Sequence, residues 1–243
     1  TIKEFLLKLD IFSADAVIFV SKHVKNFSLK KYFNADIPHR IASFGRLNSE
    51  QKHISRTLKD VPNLLYFGRI EKYKGLDLFV GALEELDKEG INFSFTIAGN
   101  GLIEPKLNKK IEKLIDKVPG ILMNSWITDD DLVKLHINAD ILVIPYREAS
   151  QSGVLASAQD FILPFVCTPA GALPEQALKK GGIISKDFSP KSIKESITNL
   201  LRKSVYNDKV NEIYSMQQNQ SWKPTADAII ELGNETIRDE QQL

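Results

Sequence analysis

Residues 139–154 read ADILVIPYREASQSGV, an apolar run followed by a carboxylate and then by small residues that open a helix. The apolar run predicts a buried strand, and the small residues predict a helix N-terminus, where free backbone N–H groups attract anions. The candidate donors are the N–H groups of Gln151, Ser152, Gly153 and Val154. Glu148 lies just before them and can accept hydrogen bonds from hydroxyl groups. Together with Gly68, Arg69 and Lys74 upstream, the stretch suggests a site for a nucleotide diphosphate attached to a sugar.

The same kind of apolar run recurs along the chain. Runs lie at 64–67, 93–98, 121–123, 141–144, 165–168 and 183–184. Between them, apolar residues return at helical spacing, as in Leu76, Phe79, Val80, Leu83 and Leu86. Strands that alternate with helices favour a parallel sheet with right-handed crossovers. We therefore predict an α/β fold with a doubly wound, Rossmann-like parallel sheet.

The composition narrows the classes of partner. The chain has 243 residues and a net charge of +1, so it can bury a full core but has no charge excess that would attract nucleic acid. Cys167 is the single cysteine of the sequence, which excludes an internal disulfide and fits a reducing, cytoplasmic compartment. No apolar run approaches the roughly 20 residues of a membrane helix, so any membrane association is expected to be peripheral.

The sequence pattern divides the chain into three parts. Residues 1–47 carry a predicted strand at 15–20, a helix at 22–33 and a further strand near Ile41. Residues 48–62 are mostly polar and are interpreted as a linker. Residues 63–243 hold the six apolar runs and are predicted to form the ligand-binding domain, closed by a C-terminal helix.

The loops that follow the strands hold the candidate residues, because ligands of an open parallel sheet bind at the carboxyl ends of its strands. The loop after the first run contains Gly68, Arg69 and Lys74, and its two cations can neutralise phosphate oxygens. The loop after the second run contains Gly99 and Gly101, which let a ligand approach the backbone. Together with the helix N-terminus, these groups are predicted to converge on one edge of the sheet.

Two other chemistries are disfavoured by residue spacing. Gly99-x-Gly101 begins like a dinucleotide-binding fingerprint, but Glu104 stands where the third glycine is required, so NAD binding is not expected. The acidic run at 129–131 follows Thr128 as in a helix cap, a place that favours acids. We therefore expect no metal site and no bound cofactor.

The ordered set of motifs resembles the C-terminal, donor-binding domain of glycosyltransferase family 4, whose members are retaining enzymes of the GT-B fold. The motifs, between 63 and about 232, are GRIEKYKG (68–75), TIAGNG (96–101), SWITDDDLVKLHINADILVIPY (125–146), REASQSGV (147–154), TPAGALPE (168–175) and SWKPTADAIIEL (221–232). The resemblance implies the C-terminal half of a GT-B fold. It also implies transfer of a sugar from a UDP- or GDP-linked donor to a saccharide or lipid-linked acceptor, as in polysaccharide biosynthesis.

The resemblance implies that Arg69 and Lys74 hold the donor diphosphate and that Glu148 contacts the donor sugar. These three are the candidate catalytic residues, and the amides from Ser152 to Val154 would meet a phosphate. The departing diphosphate gains negative charge as the glycosidic bond breaks. Cations and a helix N-terminus can stabilise that charge without a metal ion.

The base and the ribose of the donor are assigned to three further positions by the same resemblance. Gly101 and Ile127 would lie near the base. The family's second glutamate, which binds the ribose, falls at Ser157, so this chain offers a hydroxyl there instead of a carboxylate.

Residues 1–47 resemble, through ADAVIFVSKHV (14–24), only the end of the family's N-terminal domain. The acceptor would therefore bind through a domain missing from this sequence, and the apolar residues of the remnant are expected to favour self-association. Two alternatives stay open. One is a nucleotide-sugar binding module or partner subunit without catalysis, and the other is a nucleotide-sugar epimerase of similar fold.

Overall fold

The computed structural model describes residues 13–32, 37–42, 45, 54–178, 180–219 and 221–240. In chain order, the elements are β1 (Val17–Phe19), α1 (Lys22–Lys31), β2 (His39–Ile41), β3 (Asn63–Phe67), α2 (Leu76–Lys88), β4 (Ser94–Gly99), α3 (Pro105–Ile115), β5 (Gly120–Asn124), α4 (Asp129–Asn138), β6 (Ile141–Ile144), α5 (Gly153–Asp160), β7 (Phe165–Cys167), α6 (Leu173–Ala177), β8 (Gly182–Ile184), α7 (Pro190–Leu200), α8 (Lys203–Asn219) and α9 (Lys223–Glu240). Within these described ranges, no helix is both long and apolar enough to cross a bilayer.

The chain forms two compact units, residues 47–219 and a smaller unit that joins residues 1–46 to residues 220–243. In the smaller unit, β1 and β2 pair in parallel, and the Ser21 hydroxyl caps α1 by accepting a hydrogen bond from Val24 N–H at 3.0 Å. Arg40 of β2 donates to Glu235 of α9 at 2.5 Å. The contacts of α9 group it with the N-terminal segment, and the predicted domain bounds at 47 and 63 stay predictions.

Of residues 1–47, for which self-association is predicted, the structure describes 13–32, 37–42 and 45, and nothing there tests that prediction. Of the predicted linker at 48–62, residues 48–53 lie outside the described ranges. Both stay predictions, and the residues that carry the candidate site all lie in the larger unit.

The larger unit is built on a six-stranded sheet in the order β5-β4-β3-β6-β7-β8, with every pair parallel. From β3 the chain proceeds outward to β4 and β5, and it then returns to β6 and proceeds outward on the other side to β8. This order confirms the doubly wound α/β fold expected of the C-terminal half of a GT-B fold. The strand order reverses between β3 and β6, and this switch point is where open sheets bind ligands.

Helices cover both faces of the sheet. Along β3, Leu64 and Tyr66 lie in one apolar cluster with side chains of α2 and α7, whereas Leu65 lies in a second cluster with side chains of α5 and α6. Along β6, Val143 belongs to the first cluster and Ile144 to the second. Successive side chains of a strand point to opposite faces, so both faces need apolar residues. This explains why the strands read as continuous apolar runs in the sequence.

Candidate functional site

The loops that follow β3 and β6 are joined at the switch point. Arg147 donates its backbone N–H to the carbonyl oxygen of Tyr73 at 2.7 Å. Gly75 has a φ of +68°, and a Cβ there would lie 1.9 Å from the carbonyl oxygen of Pro145. Glycine alone combines this left-handed backbone with so close an approach. The two loops therefore form one continuous wall of the candidate site.

Lys74 lies in this wall, in the short 3-10 turn Lys72–Lys74. Its Nζ lies 3.9 Å from the centroid of the Tyr146 ring and 5.1 Å from that of Tyr73, both cation–π contacts. Partial burial lowers the pKa of Lys74 to about 8, and the positive charge of Arg69 acts in the same direction. The ammonium is thus partly desolvated, and a nearby anion would stabilise its charge.

Glu148 and Lys74 line the same cavity, which has a volume of about 420 Å³. The remaining lining residues are Tyr73, Tyr146, Ala149, Ser150 and Gln151. Glu148 is exposed to solvent. Since a carboxylate repels a phosphate, the two side chains suit different parts of one ligand, an anion at Lys74 and hydroxyl groups at Glu148.

The N-terminus of α5 offers fewer free donors than the sequence suggests. The Ser152 hydroxyl accepts a hydrogen bond from Leu155 N–H at 3.1 Å, and the Ser152 N–H donates to Gln176 Oε1 at 3.0 Å. Among the described residues, the N–H groups of Gly153 and Val154 have no hydrogen-bond partner. The first turn of α5 therefore offers two free amides to an anion, beside the cavity that Glu148 lines.

A second, apolar cavity of about 230 Å³ opens at the carboxyl ends of β3, β4 and β5. Its lining residues are Phe67, Gly68, Arg69, Gly99, Asn100, Ser125, Trp126 and Ile127. The side chains of Phe67, Trp126 and Ile127 suit a flat aromatic ring, and Trp126 is 81% exposed. Gly68 links this cavity to α5, because a Cβ on Gly68 would lie 3.4 Å from Val154 Cγ2.

Arg69 lies at the edge of the apolar cavity with its side chain 72% exposed. Its Nη1 pairs with Glu71 Oε1 at 3.1 Å. Exposed ion pairs contribute little free energy. The guanidinium can therefore exchange Glu71 for a phosphate of a ligand at small cost.

Gly99 and Gly101 bring the loop after β4 against the loop after β3. A Cβ on Gly99 would lie 1.8 Å from the Gly68 carbonyl oxygen, and one on Gly101 would lie 2.2 Å from the Ile70 carbonyl oxygen. Asn124 fixes the same loop, accepting from Gly101 N–H at 3.2 Å and donating to the Gly101 carbonyl at 3.1 Å. Gly99 lines the apolar cavity, whereas Gly101 lines neither cavity and serves the packing of the two loops.

The hydroxyl of Ser157 is hydrogen-bonded within the protein. Its Oγ lies 3.0 Å from Nε2 of His136 and 2.8 Å from the Val154 carbonyl oxygen. His136 is fully buried and stacks on Phe161 at 4.7 Å between ring centroids, and its burial lowers the pKa of the imidazole to about 4. The Ser157 hydroxyl thus faces a buried neutral imidazole and lines neither cavity.

The acidic run at 129–131 lies in the first turn of α4, directly after the cap residue Thr128, as the sequence suggests. Thr128 Oγ1 accepts a hydrogen bond from Asp131 N–H at 3.2 Å, and the three aspartates form the first turn of α4. Over the described ranges, no group of three or more His, Cys, Asp or Glu residues is placed to hold a metal ion.

Three residues at the site were not found by sequence reasoning, namely Trp126, Tyr146 and Arg147. Trp126 follows β5, so the rule that ligands meet the carboxyl ends of strands could have found it. Tyr146 contacts Lys74, and Arg147 contacts Asp77. Each contact joins residues about 70 positions apart, so no local sequence pattern could predict it.

A family described as glycosyl transferases group 1 matches residues 61–203, a range that includes both cavities and α5. Among curated proteins, the uncharacterized glycosyltransferase MJ1069 of Methanocaldococcus jannaschii is 27% identical over 230 residues, or 89% of this chain and 57% of that protein. The glycogen synthase of Thermodesulfovibrio yellowstonii is 27% identical over 186 residues, or 74% of this chain and 36% of that protein. The chain therefore spans less than two thirds of the length of these relatives.

Among solved structures, a TarM mutant of S. aureus in complex with fondaparinux, alpha-GlcNAc-glycerol and UDP has a TM-score of 0.77 to this chain. The two are 16% identical, and the match covers 96% of this chain and 46% of that chain. At this identity the likeness concerns the fold alone, and it agrees with the strand order of the larger unit.

Proposed function

This chain belongs to the group 1 glycosyltransferase family, and on that premise we propose that its larger unit binds the nucleotide-sugar donor of a retaining sugar transfer. One observation carries the proposal. Lys74 and Glu148 line the same cavity at the switch point of the sheet, beside two free amides of α5. A cation and a carboxylate that line one cavity match the diphosphate and the hydroxyl groups of a nucleotide-sugar.

The diphosphate would be bound by Lys74, Arg69 and the N–H groups of Gly153 and Val154. As the bond from the anomeric carbon to the diphosphate breaks, the electron pair of that bond leaves with the diphosphate oxygen. The charge gained there is stabilised by the ammonium, the guanidinium and the positive end of α5. The amides of α5 are fixed by the helix, whereas Arg69 would exchange its partner Glu71 for the diphosphate.

Glu148 would bind hydroxyl groups of the donor sugar. Its negative charge would be unfavourable next to the diphosphate, but a carboxylate accepts strong hydrogen bonds from neutral hydroxyls. In this arrangement Glu148 orients the sugar ring with its anomeric carbon at the open side of the cavity. An acceptor can approach from that side.

The base would enter the apolar cavity and stack against Trp126 or Ile127. Gly68 would allow the nucleotide to continue from this cavity to α5, because it carries no side chain at the junction. The TarM complex contains UDP. We therefore propose to test uridine nucleotides first and guanosine nucleotides second.

The acceptor is proposed to be a saccharide or a lipid-linked molecule bound by a separate domain. This chain spans 57% of the length of its archaeal relative, and the candidate residues described above all concern the donor. In a two-domain cleft, closure would position the acceptor and exclude water.

The Glu148→Gln variant tests the proposal by calorimetry with a nucleotide-sugar and with the corresponding nucleoside diphosphate. Removing the charge should weaken nucleotide-sugar binding by about 1.5–3 kcal/mol and leave diphosphate binding nearly unchanged. Glu195→Gln on α7, which alters an exposed carboxylate outside both cavities, is the matched control. If Glu148→Gln lowers the affinity for both ligands equally, Glu148 supports the loop and does not bind the sugar.

A second candidate function is a binding module or partner subunit that holds the donor without transferring its sugar. The orientation of Ser157 favours it, because the hydroxyl is turned toward His136 and α5 offers no carboxylate at that position for the ribose. This candidate would be supported if the protein binds the donor but, with every tested acceptor, neither transfers the sugar nor hydrolyses the donor. Measurable transfer would exclude it.

A further inference from the structure

Arg147 joins three parts of the wall between the loops after β3 and β6. Its guanidinium donates to both carboxylate oxygens of Asp77, at 2.8 Å from Nη1 and 2.6 Å from Nη2. Nη1 also donates to the Lys72 carbonyl at 2.9 Å, and the backbone N–H donates to the Tyr73 carbonyl at 2.7 Å. One residue therefore ties α2, the turn that carries Lys74 and the loop after β6 to one another.

This pair lies directly beside both of the groups proposed to bind the donor. Lys74 follows Tyr73, whose carbonyl Arg147 binds, and Glu148 follows Arg147 in the chain. A displacement of Arg147 would change the separation of Lys74 and Glu148, which line one cavity.

We propose that Arg147 and Asp77 are positioning residues that set the distance between Lys74 and Glu148, and so align a nucleotide-sugar with both. The inference rests on the proposed function. A diphosphate and its sugar have a fixed separation, so the groups that bind the two ends must keep a matching separation. Small displacements of such groups lower both the binding affinity and the reaction rate.

The geometry of the pair suits positioning better than stabilisation of the fold. The side chains are 33% exposed for Arg147 and 51% exposed for Asp77, so solvent screens their attraction and limits what the pair adds to stability. The two parallel N–H to oxygen bonds nevertheless fix the guanidinium plane, which a lysine could not reproduce. The hydrogen bonds from Arg147 also hold the pKa of Asp77 below its usual range.

Two variants test the inference in different ways. Asp77→Asn removes the negative charge at constant size, and Arg147→Lys keeps the positive charge but removes the planar fork. Each is combined with Glu148→Gln, and calorimetry measures binding of UDP, GDP, UDP-glucose, UDP-N-acetylglucosamine and GDP-mannose. Asp87→Asn is the matched control, because it breaks an ion pair of the same helix with Lys117, at 3.0 Å and outside both cavities.

We compare affinities for the nucleotide-sugar that the wild-type protein binds most tightly. Glu148→Gln should weaken this binding about tenfold or more in the wild-type and Asp87→Asn backgrounds. In the Asp77→Asn and Arg147→Lys backgrounds the same substitution should weaken binding by less than about threefold, because Glu148 is no longer aligned with the sugar. In each of these backgrounds, Glu148→Gln should change the affinity for the nucleoside diphosphate by less than about threefold.

An undiminished effect of Glu148→Gln in both backgrounds would overturn the inference, even if the melting temperature fell. If Asp77→Asn fails to fold, Arg147→Lys decides, and if neither variant folds the pair is a folding element and the inference is wrong. Wild-type protein that binds nucleoside diphosphates but no nucleotide-sugar would overturn the proposed role of Glu148 itself, an outcome distinct from loss of the coupling.

Discussion

Donor binding is expected to weaken as the pH rises through 8, because Lys74 loses its charge in that range. Partial burial and the charge of Arg69 lower the pKa of Lys74 to about 8 in the unliganded protein. A bound diphosphate would raise this pKa again, since it favours the ammonium form. A group whose pKa rises on binding takes up a proton, so the affinity is highest below the unliganded pKa and declines above it.

The magnitude follows from the fraction of Lys74 that is protonated. With a pKa of about 8, about nine tenths of the side chain is charged at pH 7 and about one quarter at pH 8.5. If the ammonium form alone binds the diphosphate, the affinity declines about fourfold between these pH values. At pH 8 binding should take up roughly half a proton.

Calorimetry with a nucleotide-sugar measures both quantities. A nucleotide-sugar is the suitable ligand because both of its phosphates are esterified and neither titrates in this range. Titrations at pH 8 in buffers of different ionisation enthalpy give the proton uptake. Lys74→Arg is the control, since arginine stays charged throughout and should give a nearly constant affinity. An affinity that declines equally in Lys74→Arg, or no proton uptake by the wild type, would show that Lys74 does not control the pH dependence of binding.

Three further predictions concern the diphosphate, the base and the loop. Replacing Arg69 and Lys74 together by Ala should cost about 1.5–3 kcal/mol of diphosphate binding per lost charged hydrogen bond, while monophosphate binding changes less, as measured by calorimetry. Trp126→Ala should weaken nucleotide binding by about 1–3 kcal/mol whether or not a sugar is attached, which competition titrations can measure. Gly75→Ala should lower the free energy of unfolding in urea by more than Gly90→Ala does, because both glycines have a φ of +68° but only the first meets backbone within 4 Å.

Each of these outcomes can be contradicted. An unchanged preference for the diphosphate in the double variant would place the phosphates elsewhere. A Trp126→Ala protein with full affinity would remove the base from the apolar cavity. Equal destabilisation by the two glycine substitutions would mean that the contact between the β3 and β6 loops tolerates a side chain.

Much of the fold could be predicted because the sheet is buried on both faces. The runs at 64–67 and 141–144 are continuously apolar for that reason, and they coincide with the central strands β3 and β6. The helix cap at Thr128 could also be predicted, since it depends on residues three positions apart. The grouping of α9 with the N-terminal segment was not, because a helix sequence does not show which distant strand it packs on.

The site could be predicted where residues follow strand ends and not where distant side chains meet. Lys74 and Glu148 were found because each follows a central strand at the switch point. The Ser152 N–H was expected to be free, but Gln176, 24 residues away, accepts its hydrogen bond. The orientation of Ser157 toward His136, 21 residues away, likewise depends on tertiary packing.

The most direct test of the central claim is a crystal structure of the protein with an intact nucleotide-sugar bound. Diphosphate oxygens should lie within hydrogen-bonding distance of Lys74 Nζ and of the Gly153 and Val154 N–H groups, and sugar hydroxyls should donate to Glu148. A bound donor with its diphosphate away from α5, or with its sugar out of reach of Glu148, would show that this cavity does not bind the donor.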